Sequence, residues 1–368
     1  MADKKLIAIG VVVVLLIGGI YLFSNSDMFT GNNGNRTITD MAGRSVQVPS
    51  HVEKVMGFDA SNREVCYLGC ADKIIGLQGM ETKCLDDLPY LVANPELKNK
   101  TNMGSLDDGS ANYEELIKKH PDVVFVDSAQ KAQTIESKTG LPAVVVYTGM
   151  IGTDDQYKNY TESLKLMGKV LGKEDRANEL VGFMDEEISD LKTRSANAQC
   201  NKTVYVGGHA YFGDHGLSYT NSYYPSFNYL HLNNVASGFN NSSDATHRAM
   251  DVGKEQLITW NPDIIFIESS SIITNQQDSI YNPEYRNLSA VKNGNVYEIF
   301  TYCMYFYNKE EMITNSYYIG KICYPDQFAD VDVDQKNREI FEKFLGKDIY
   351  DEFKKSSNYK YEKLNVTG

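Results

Sequence analysis

Two stretches of this chain concentrate side chains able to do chemistry. Gly207-Gly-His-Ala-Tyr-Phe-Gly-Asp-His-Gly216 places His209, Tyr211, Asp214 and His215 between glycines. Glycine lets main chain approach a ligand closely, and imidazole and phenol supply polar and aromatic contacts. The same stretch permits a zinc or manganese site from His209, Asp214 and His215, with His231 as a further ligand, although no His-Glu-x-x-His spacing accompanies it. Phe300-Thr-Tyr-Cys-Met-Tyr-Phe-Tyr-Asn308 offers Tyr302 and Tyr305, whose flat faces and hydroxyls suit a large planar or amphipathic ligand. Asp59, Met80 and Ser105 fall in loops after predicted strands of the first half, and Arg248 is a basic residue for an acidic ligand group. Phosphate-loop, dinucleotide and nucleophile-elbow motifs are absent, so neither a nucleotide site nor a hydrolase of the elbow class is expected.

The elements that must position these groups show a repeat. Glu114-Glu-Leu-Ile-Lys-Lys-His-Pro-Asp-Val-Val-Phe-Val126 and Glu255-Gln-Leu-Ile-Thr-Trp-Asn-Pro-Asp-Ile-Ile-Phe-Ile267 share six of thirteen residues, and three more exchange Val for Ile. Each reads as the end of an amphipathic helix, a Pro-Asp stop and a β-branched run fit for a buried parallel strand. A spacing of 141 residues suits one α/β domain per copy, and a cleft between paired lobes is a natural small-molecule site. Around the repeats the pattern predicts a hairpin over 37–49, strands over 52–58 and 74–79 flanking a helix over 62–71, a helix over 112–119, and strands over 123–126 and 143–147. No strand signal appears from 153 to 198, where two helical stripes meet at Gly172. The second spans ~25 residues, or ~37 Å, enough to run from one lobe to another. Strands over 203–208, 264–267 and 295–300, a helix over 315–323 and a charged helical tail over 334–353 complete the pattern. The expected organisation is a segment and polar linker over 1–35, an α/β lobe over 36–152, a helical connection over 153–198, a second α/β lobe over 199–333 and a tail over 334–368.

Of 368 residues, 42% are hydrophobic, which is globular, and a net charge of -13 argues against nucleic acid or an anionic membrane surface as partner. Lys4 and Lys5 precede an uncharged run over 6–23, which predicts an N-terminal anchor, with a cleaved signal segment as the alternative, and in either case a folded body outside the cell membrane. Cys66 and Cys70 fall on one helix face and read as small buried hydrophobes, and the six cysteines do not have the spacing of a disulfide framework.

The chain resembles the substrate-binding proteins of ABC importers, of the ferric-siderophore and cobalamin class. The resemblance rests on Ile38-Thr-Asp-Met-Ala-Gly-Arg-Ser-Val-Gln-Val-Pro49, the two Glu-x-Leu-Ile…Pro-Asp phrases and Leu166-Met-Gly-Lys-Val-Leu-Gly-Lys-Glu-Asp-Arg-Ala177. Tyr223-Tyr-Pro-Ser-Phe227 and Tyr317-Tyr-Ile-Gly-Lys-Ile-Cys-Tyr-Pro325 look like a branch found in methanogenic archaea and some anaerobic bacteria. It implies an α/β fold of two Rossmann-like lobes with mostly parallel sheets joined by one long helix, no enzymatic activity and no intrinsic cofactor. The implied ligand is an iron complex or a corrinoid or other tetrapyrrole held between the lobes. The implied partner is a permease dimer with its cytoplasmic ATPase, and the family pattern carries its two docking glutamates onto Glu114 and Glu255. Trp260, the one tryptophan, lies in a repeat helix rather than at a loop tip, and few arginines are placed for an anionic chelate. Ferric chelate, corrinoid and metal oxyanion therefore all stay open from sequence.

Overall fold

The computed structural model describes residues 34–210, 214–239, 250–273 and 278–366. The chain enters through an antiparallel hairpin, Asn35–Thr39 with Ser45–Pro49, as the alternation around Gly43 predicts. Two mostly parallel sheets follow. In the first lobe the strand order is Val55–Gly57, Val123–Val126, Ala143–Val145. In the second, Thr203–Gly207, Ile264–Glu268 and Val296–Ile299 repeat that order at the centre of a five-stranded sheet. The repeat strands Val123–Val126 and Ile264–Glu268 are buried throughout, as runs of Val, Ile and Phe covered on both faces should be.

The junction before each repeat strand is built the same way. Helices Tyr113–Lys119 and Lys254–Trp260 end at His120 and Asn261, both left-handed, with φ of 50° and 45°. The following proline cannot continue a helix, and the aspartate after it binds the start of the neighbouring strand. Asp122 accepts from the Glu53 and Lys54 amides at 2.7 and 2.9 Å, and Asp263 from the Thr203 amide and hydroxyl at 2.8 and 2.9 Å. These contacts fix the strand registers Val55 with Val123 and Val204 with Ile264.

Helices Asp154–Leu171 and Glu174–Ala196 separate at Gly172, which takes φ of 67°. The second has 23 residues. At its start Arg176 Nε donates to the Tyr67 carbonyl at 3.0 Å, and near its end Arg194 grips Asp330 through two bonds of 2.7 and 3.0 Å. It thus runs between the lobes, but it is not their sole link. Helices Val333–Leu345 and Tyr350–Ser357 turn back to the first lobe, where Phe344 meets Tyr67 edge-on at 5.1 Å and Ser356 Oγ donates to the Asp86 carbonyl at 3.1 Å. The chain then recrosses to add Glu362–Lys363 antiparallel to Val296–Ile299.

A fully buried polar cluster also joins the lobes. Arg63, in the helix Ser61–Tyr67, donates to the carbonyls of Tyr305 and Tyr307, the latter at 3.3 Å. Lys309, which opens the helix Lys309–Cys323, donates to the Thr148 and Tyr307 carbonyls at 3.1 and 2.7 Å, lies 3.8 Å from Glu64 Oε1 and stands 4.4 Å over the Tyr160 ring. Tyr67 donates to Glu310. Burial pushes the Glu64 carboxyl up and pulls Lys309 down to about 7, with Glu64 acting the other way on the lysine. Removing one member of such a cluster typically costs about 3–5 kcal/mol, because its partner stays buried and unpaired.

Three features depart from the sequence reading. The helix over 62–71 stops at Tyr67, because Gly69 turns left-handed at φ 70°. Helix Ala129–Thr139 buries only Ala132 and Ile135, too few apolar residues to announce itself. Among the described residues no helix is long and apolar enough to cross a membrane, and the anchor expected over 6–23 lies outside them.

Candidate functional site

A cavity of about 1140 Å³ opens at the carboxyl edge of the first-lobe sheet and is closed on one side by residues 305–307 of the second lobe. Strand ends are where an open parallel sheet binds ligands, because loops diverge there. Gln78, Met80 and Ser105 come from first-lobe loops, Tyr147, Thr148 and Met150 follow the strand Ala143–Val145, and Gln156 and Asn159 come from the helix Asp154–Leu171. Gly104 holds the loop bearing Ser105 in place, at φ 71°; a Cβ there would meet the Ser110 carbonyl oxygen at 2.1 Å.

The wall is acidic. Asp107, Asp108, Asp127 and Asp155 line it against the single ammonium of Lys83. Behind them Lys131 Nζ is held at 2.7 Å from Asp59 Oδ1, 2.7 Å from Asp107 Oδ1 and 3.1 Å from Asp127 Oδ2. Burial pulls the Lys131 ammonium down, yet these carboxylates more than offset it and hold it above its ordinary range. Asp59 is fully buried, and burial together with Asp127 pushes its carboxyl up to about 7 against the pull of Lys131. Its backbone is left-handed at φ 54°, followed by Ala60 at 63°. Such conformations cost non-glycine residues about 1–3 kcal/mol and persist where surroundings enforce them. Here the Asp59 amide donates to Gln78 Oε1 at 2.7 Å and its carbonyl accepts from Thr148 Oγ1 at 2.9 Å.

Aromatic side chains share the cavity wall with these carboxylates. Tyr305, Phe306 and Tyr307 enter from the second lobe, and Tyr147 from the first, its hydroxyl donating to the Met150 carbonyl at 3.0 Å. The wall thus combines aromatic side chains with an excess of carboxylates. A large ligand with exposed apolar surface and neutral or positive charge is complementary to it, whereas a small oxyanion meets repulsion and little contact.

The residues singled out in the sequence divide accordingly. Met80, Ser105 and Tyr305 are in the wall, and Asp59 lies behind it bonded to Lys131. His209 and Tyr302 are buried instead, their rings 5.6 Å apart. His215 stacks on Tyr219 at 3.8 Å. Tyr211 and Arg248 lie outside the described residues. Trp260 packs on Tyr205 and Phe239, away from the cavity. Asp127, Lys131 and Tyr147 escaped the sequence reading, and from the aromatic stretch over 300–308 it chose Tyr302 and Tyr305 where Phe306 and Tyr307 also reach the wall. Asp127 had a usable signal, since it directly follows a predicted strand, as the stretch over 207–216 does.

Among the described residues the metal triad of His209, Asp214 and His215 does not assemble; the side chains that gather on His209 are Glu268 and Cys303. Asn221 Nδ2 donates to His209 Nε2 at 3.2 Å, which leaves the ring proton on Nδ1 to donate to Glu268 Oε1 at 2.8 Å. Cys303 Sγ is 3.5 and 3.6 Å from the two ring nitrogens. Near-equal distances put the sulfur over the ring, not beside the in-plane lone pair where an ion shared with it would sit. The cluster is a satisfied part of the core.

Glu114 and Glu255 are exposed in the first turns of the repeat helices. Three residues on, Ile117 and Ile258 are 47% and 43% exposed, two of the four exposed large apolar side chains among the described residues. Equivalent exposed isoleucines in both copies pair each glutamate with an apolar neighbour on one helix face.

A model of the family described as periplasmic binding protein matches residues 66–301. The chain is 26% identical over 331 residues to the molybdate-binding protein MolA of Haemophilus influenzae, covering 84% of this chain and 91% of that one. It is 22% identical over 256 residues to the petrobactin-binding protein YclQ of Bacillus subtilis, covering 68% and 75%. A periplasmic solute binding protein from Veillonella parvula superimposes with a TM-score of 0.68 at 22% identity, covering 90% of this chain and 98% of that one. MolA of Haemophilus influenzae bound to molybdate gives 0.68 at 22% identity, with coverage of 89% and 100%. These superpositions show a shared α/β fold.

Proposed function

We propose, on the premise that this chain belongs to the periplasmic binding protein family, that its cleft captures a large neutral or cationic metal complex, an iron chelate or a corrinoid. The chain is a solute-binding component of an ABC importer, a family that delivers ligands rather than transforming them. The observation that carries the ligand class is the wall itself: about 1140 Å³, four aspartates to one lysine, and four aromatic side chains among them. Relatives include proteins named for molybdate, petrobactin and ferric citrate. An oxyanion would have to enter against the aspartates, so this cleft favours a complex whose exposed groups are apolar or positive.

The lobes, assigned to 36–152 and 199–333, would sit outside the cell membrane on an anchor formed by residues 6–23, in the branch found in methanogenic archaea and anaerobic bacteria. Glu114 and Glu255, one per lobe, would dock on basic residues of a two-fold permease, with Ile117 and Ile258 entering apolar pockets beside them. The duplication supports this reading, since two equivalent knobs fit a symmetric partner.

The test is thermal stability and calorimetric titration of the purified protein against a cationic ferric hydroxamate, cobalamin, ferric citrate, molybdate and zinc. A ligand at a hundredfold excess over its Kd adds ~2.7 kcal/mol and raises Tm by several degrees. The expected result is a shift with the hydroxamate or cobalamin that is reduced by Tyr307→Ala. Binding of molybdate alone would overturn the ligand class and leave the importer role standing.

A further inference from the structure

We infer that Phe306 sets the specificity of the cleft: its ring, held on an unfavourable backbone, is the surface that meets an apolar face of the bound complex. This rests on the cleft assignment above and names the residue that carries its selectivity. Residues 305–307 all reach the wall, yet Tyr305 is fully buried and Tyr307 only 5% exposed, so Phe306 alone of the three keeps substantial exposed surface. Its ring meets that of Tyr305 edge-on at 5.2 Å, a contact that braces it on the second lobe. A hydrocarbon ring offers dispersion and no charge, so it favours a complex with an apolar face and gives a compact hydrated ion nothing.

The backbone is the second observation. Phe306 takes φ of 53°, a left-handed conformation in which a Cβ crowds the following carbonyl. Of the seven described non-glycine residues at positive φ, five are Asp, Asn or His, which tolerate it best; Ala60 is small, and Phe306 is the bulky apolar one. The conformation is imposed from both flanks. Arg63 donates to the carbonyls of Tyr305 and Tyr307, one residue to either side, and Lys309 donates to the Tyr307 carbonyl at 2.7 Å. The Asn308 amide closes the turn on the Tyr302 carbonyl at 2.8 Å. Arg63 belongs to the first lobe, and Lys309 also holds the carbonyl of Thr148 in the first-lobe wall at 3.1 Å. The ring is therefore fixed relative to the acidic wall of the other lobe before a ligand arrives, which spares the complex the entropy of ordering a loop. A turn needed only for its shape would be more stable with glycine; phenylalanine is explained by what its ring contacts.

The test compares Phe306→Ala with Phe306→Gly in the full chain, by thermal unfolding without ligand and by calorimetric titration with a cationic ferric hydroxamate, cobalamin and ferric citrate. Both variants lack the ring and differ only in Cβ. Each should bind the hydroxamate or cobalamin, whichever the unchanged protein binds, about tenfold more weakly. The response to ferric citrate, which has no extended apolar face, should stay as it is in the unchanged protein. Phe306→Gly should melt roughly 2 °C above Phe306→Ala. That order is the reverse of the usual one, in which glycine is the less stable because it gains more freedom on unfolding. Undiminished affinity in both variants would overturn the inference, and so would Phe306→Ala melting above Phe306→Gly, since the backbone would then not be held left-handed. An unchanged protein that binds neither complex is a separate result, which removes the cleft assignment itself and this inference with it.

Discussion

Asp127 and Glu268 occupy the same position in the two repeats, 141 residues apart, and face opposite fates. Asp127 lines the cavity and binds Lys131 at 3.1 Å. Glu268 is fully buried, bonded to His209 at 2.8 Å and to the Ala210 amide at 3.0 Å. The strands beneath them have the same partners in the same order, and the exposed Glu–Ile pairs outside them match. What differs is the carboxyl edge: in the first lobe it is open and acidic, in the second it is filled by Tyr224, Tyr302 and Cys303 around His209. A duplicated scaffold has kept its outer surface symmetric and made its inner surface asymmetric, which is what the proposed two-fold permease and a single ligand would each require.

Stability should separate the two carboxylates most sharply. Glu268→Ala leaves the His209 N–H and the Ala210 amide buried without acceptors, and a loss of about 3–5 kcal/mol is expected in denaturant unfolding. Asp127→Ala removes a half-exposed carboxylate from a site where Lys131 keeps two others, and should cost less than about 1 kcal/mol while weakening binding of a cationic complex. Equal losses would mean the two edges are not divided into core and cleft.

The symmetric face is tested by charge reversal. Glu114→Lys with Glu255→Lys should leave ligand titration unchanged and cut uptake through the cognate importer on the order of a hundredfold. Each single change should have a smaller and similar effect, and so should Ile117→Asp and Ile258→Asp. One knob carrying the whole effect would contradict the equivalence of the lobes.

Proton uptake probes the asymmetric face. Asp59, pushed up to about 7, is ionised above that pH and neutral below it. Affinity for a cationic complex should therefore fall several-fold between pH 8 and 6, and Asp59→Asn should flatten the profile. Stability runs the other way: with a folded pKa raised above the ordinary value, the unfolded chain releases this proton first, so the ligand-free protein gains stability as pH falls from 7 towards 4. A parallel rise or fall of both quantities would exclude Asp59 as their common cause.

The symmetric half of this comparison was legible in the chain; the asymmetric half was only partly so. Pro121-Asp122 and Pro262-Asp263, with their β-branched strands, are local patterns whose meaning does not depend on distant residues. His209 looked like a ligand because it follows a strand among glycines, but its burial is decided by Glu268 and Cys303, 59 and 94 residues away. Lys131 carried no signal because its role comes from three aspartates converging from separate loops. The buried cluster of Arg63, Glu64, Lys309 and Glu310 was not legible for the same reason: Arg63 reads in the sequence as an arginine for an anionic chelate, and only the meeting of the lobes encloses the four side chains.

The smallest expected difference, that between the two junction aspartates, is the one that best tests whether the repeats share their construction. Asp122 and Asp263 each accept two bonds from the start of the neighbouring strand, all between 2.7 and 2.9 Å. Asp122→Ala and Asp263→Ala each remove charge-assisted bonds at a partly exposed junction, for an expected loss of about 1–2 kcal/mol apiece. Because the partners and registers match, the two losses should agree within about 0.5 kcal/mol, and the double variant should show their sum, since the sites share no partner. One complication has a definite sign: Asp263 also accepts from the Thr203 hydroxyl, where Asp122 has two amides, so Asp263→Ala leaves one orphaned amide rather than two. Any difference should therefore favour Asp263→Ala as the milder change. A clearly larger loss at Asp263 would mean that the five-stranded sheet leans on its first strand in a way the three-stranded sheet does not, and the likeness of the junctions would then be one of geometry without equal energetic weight.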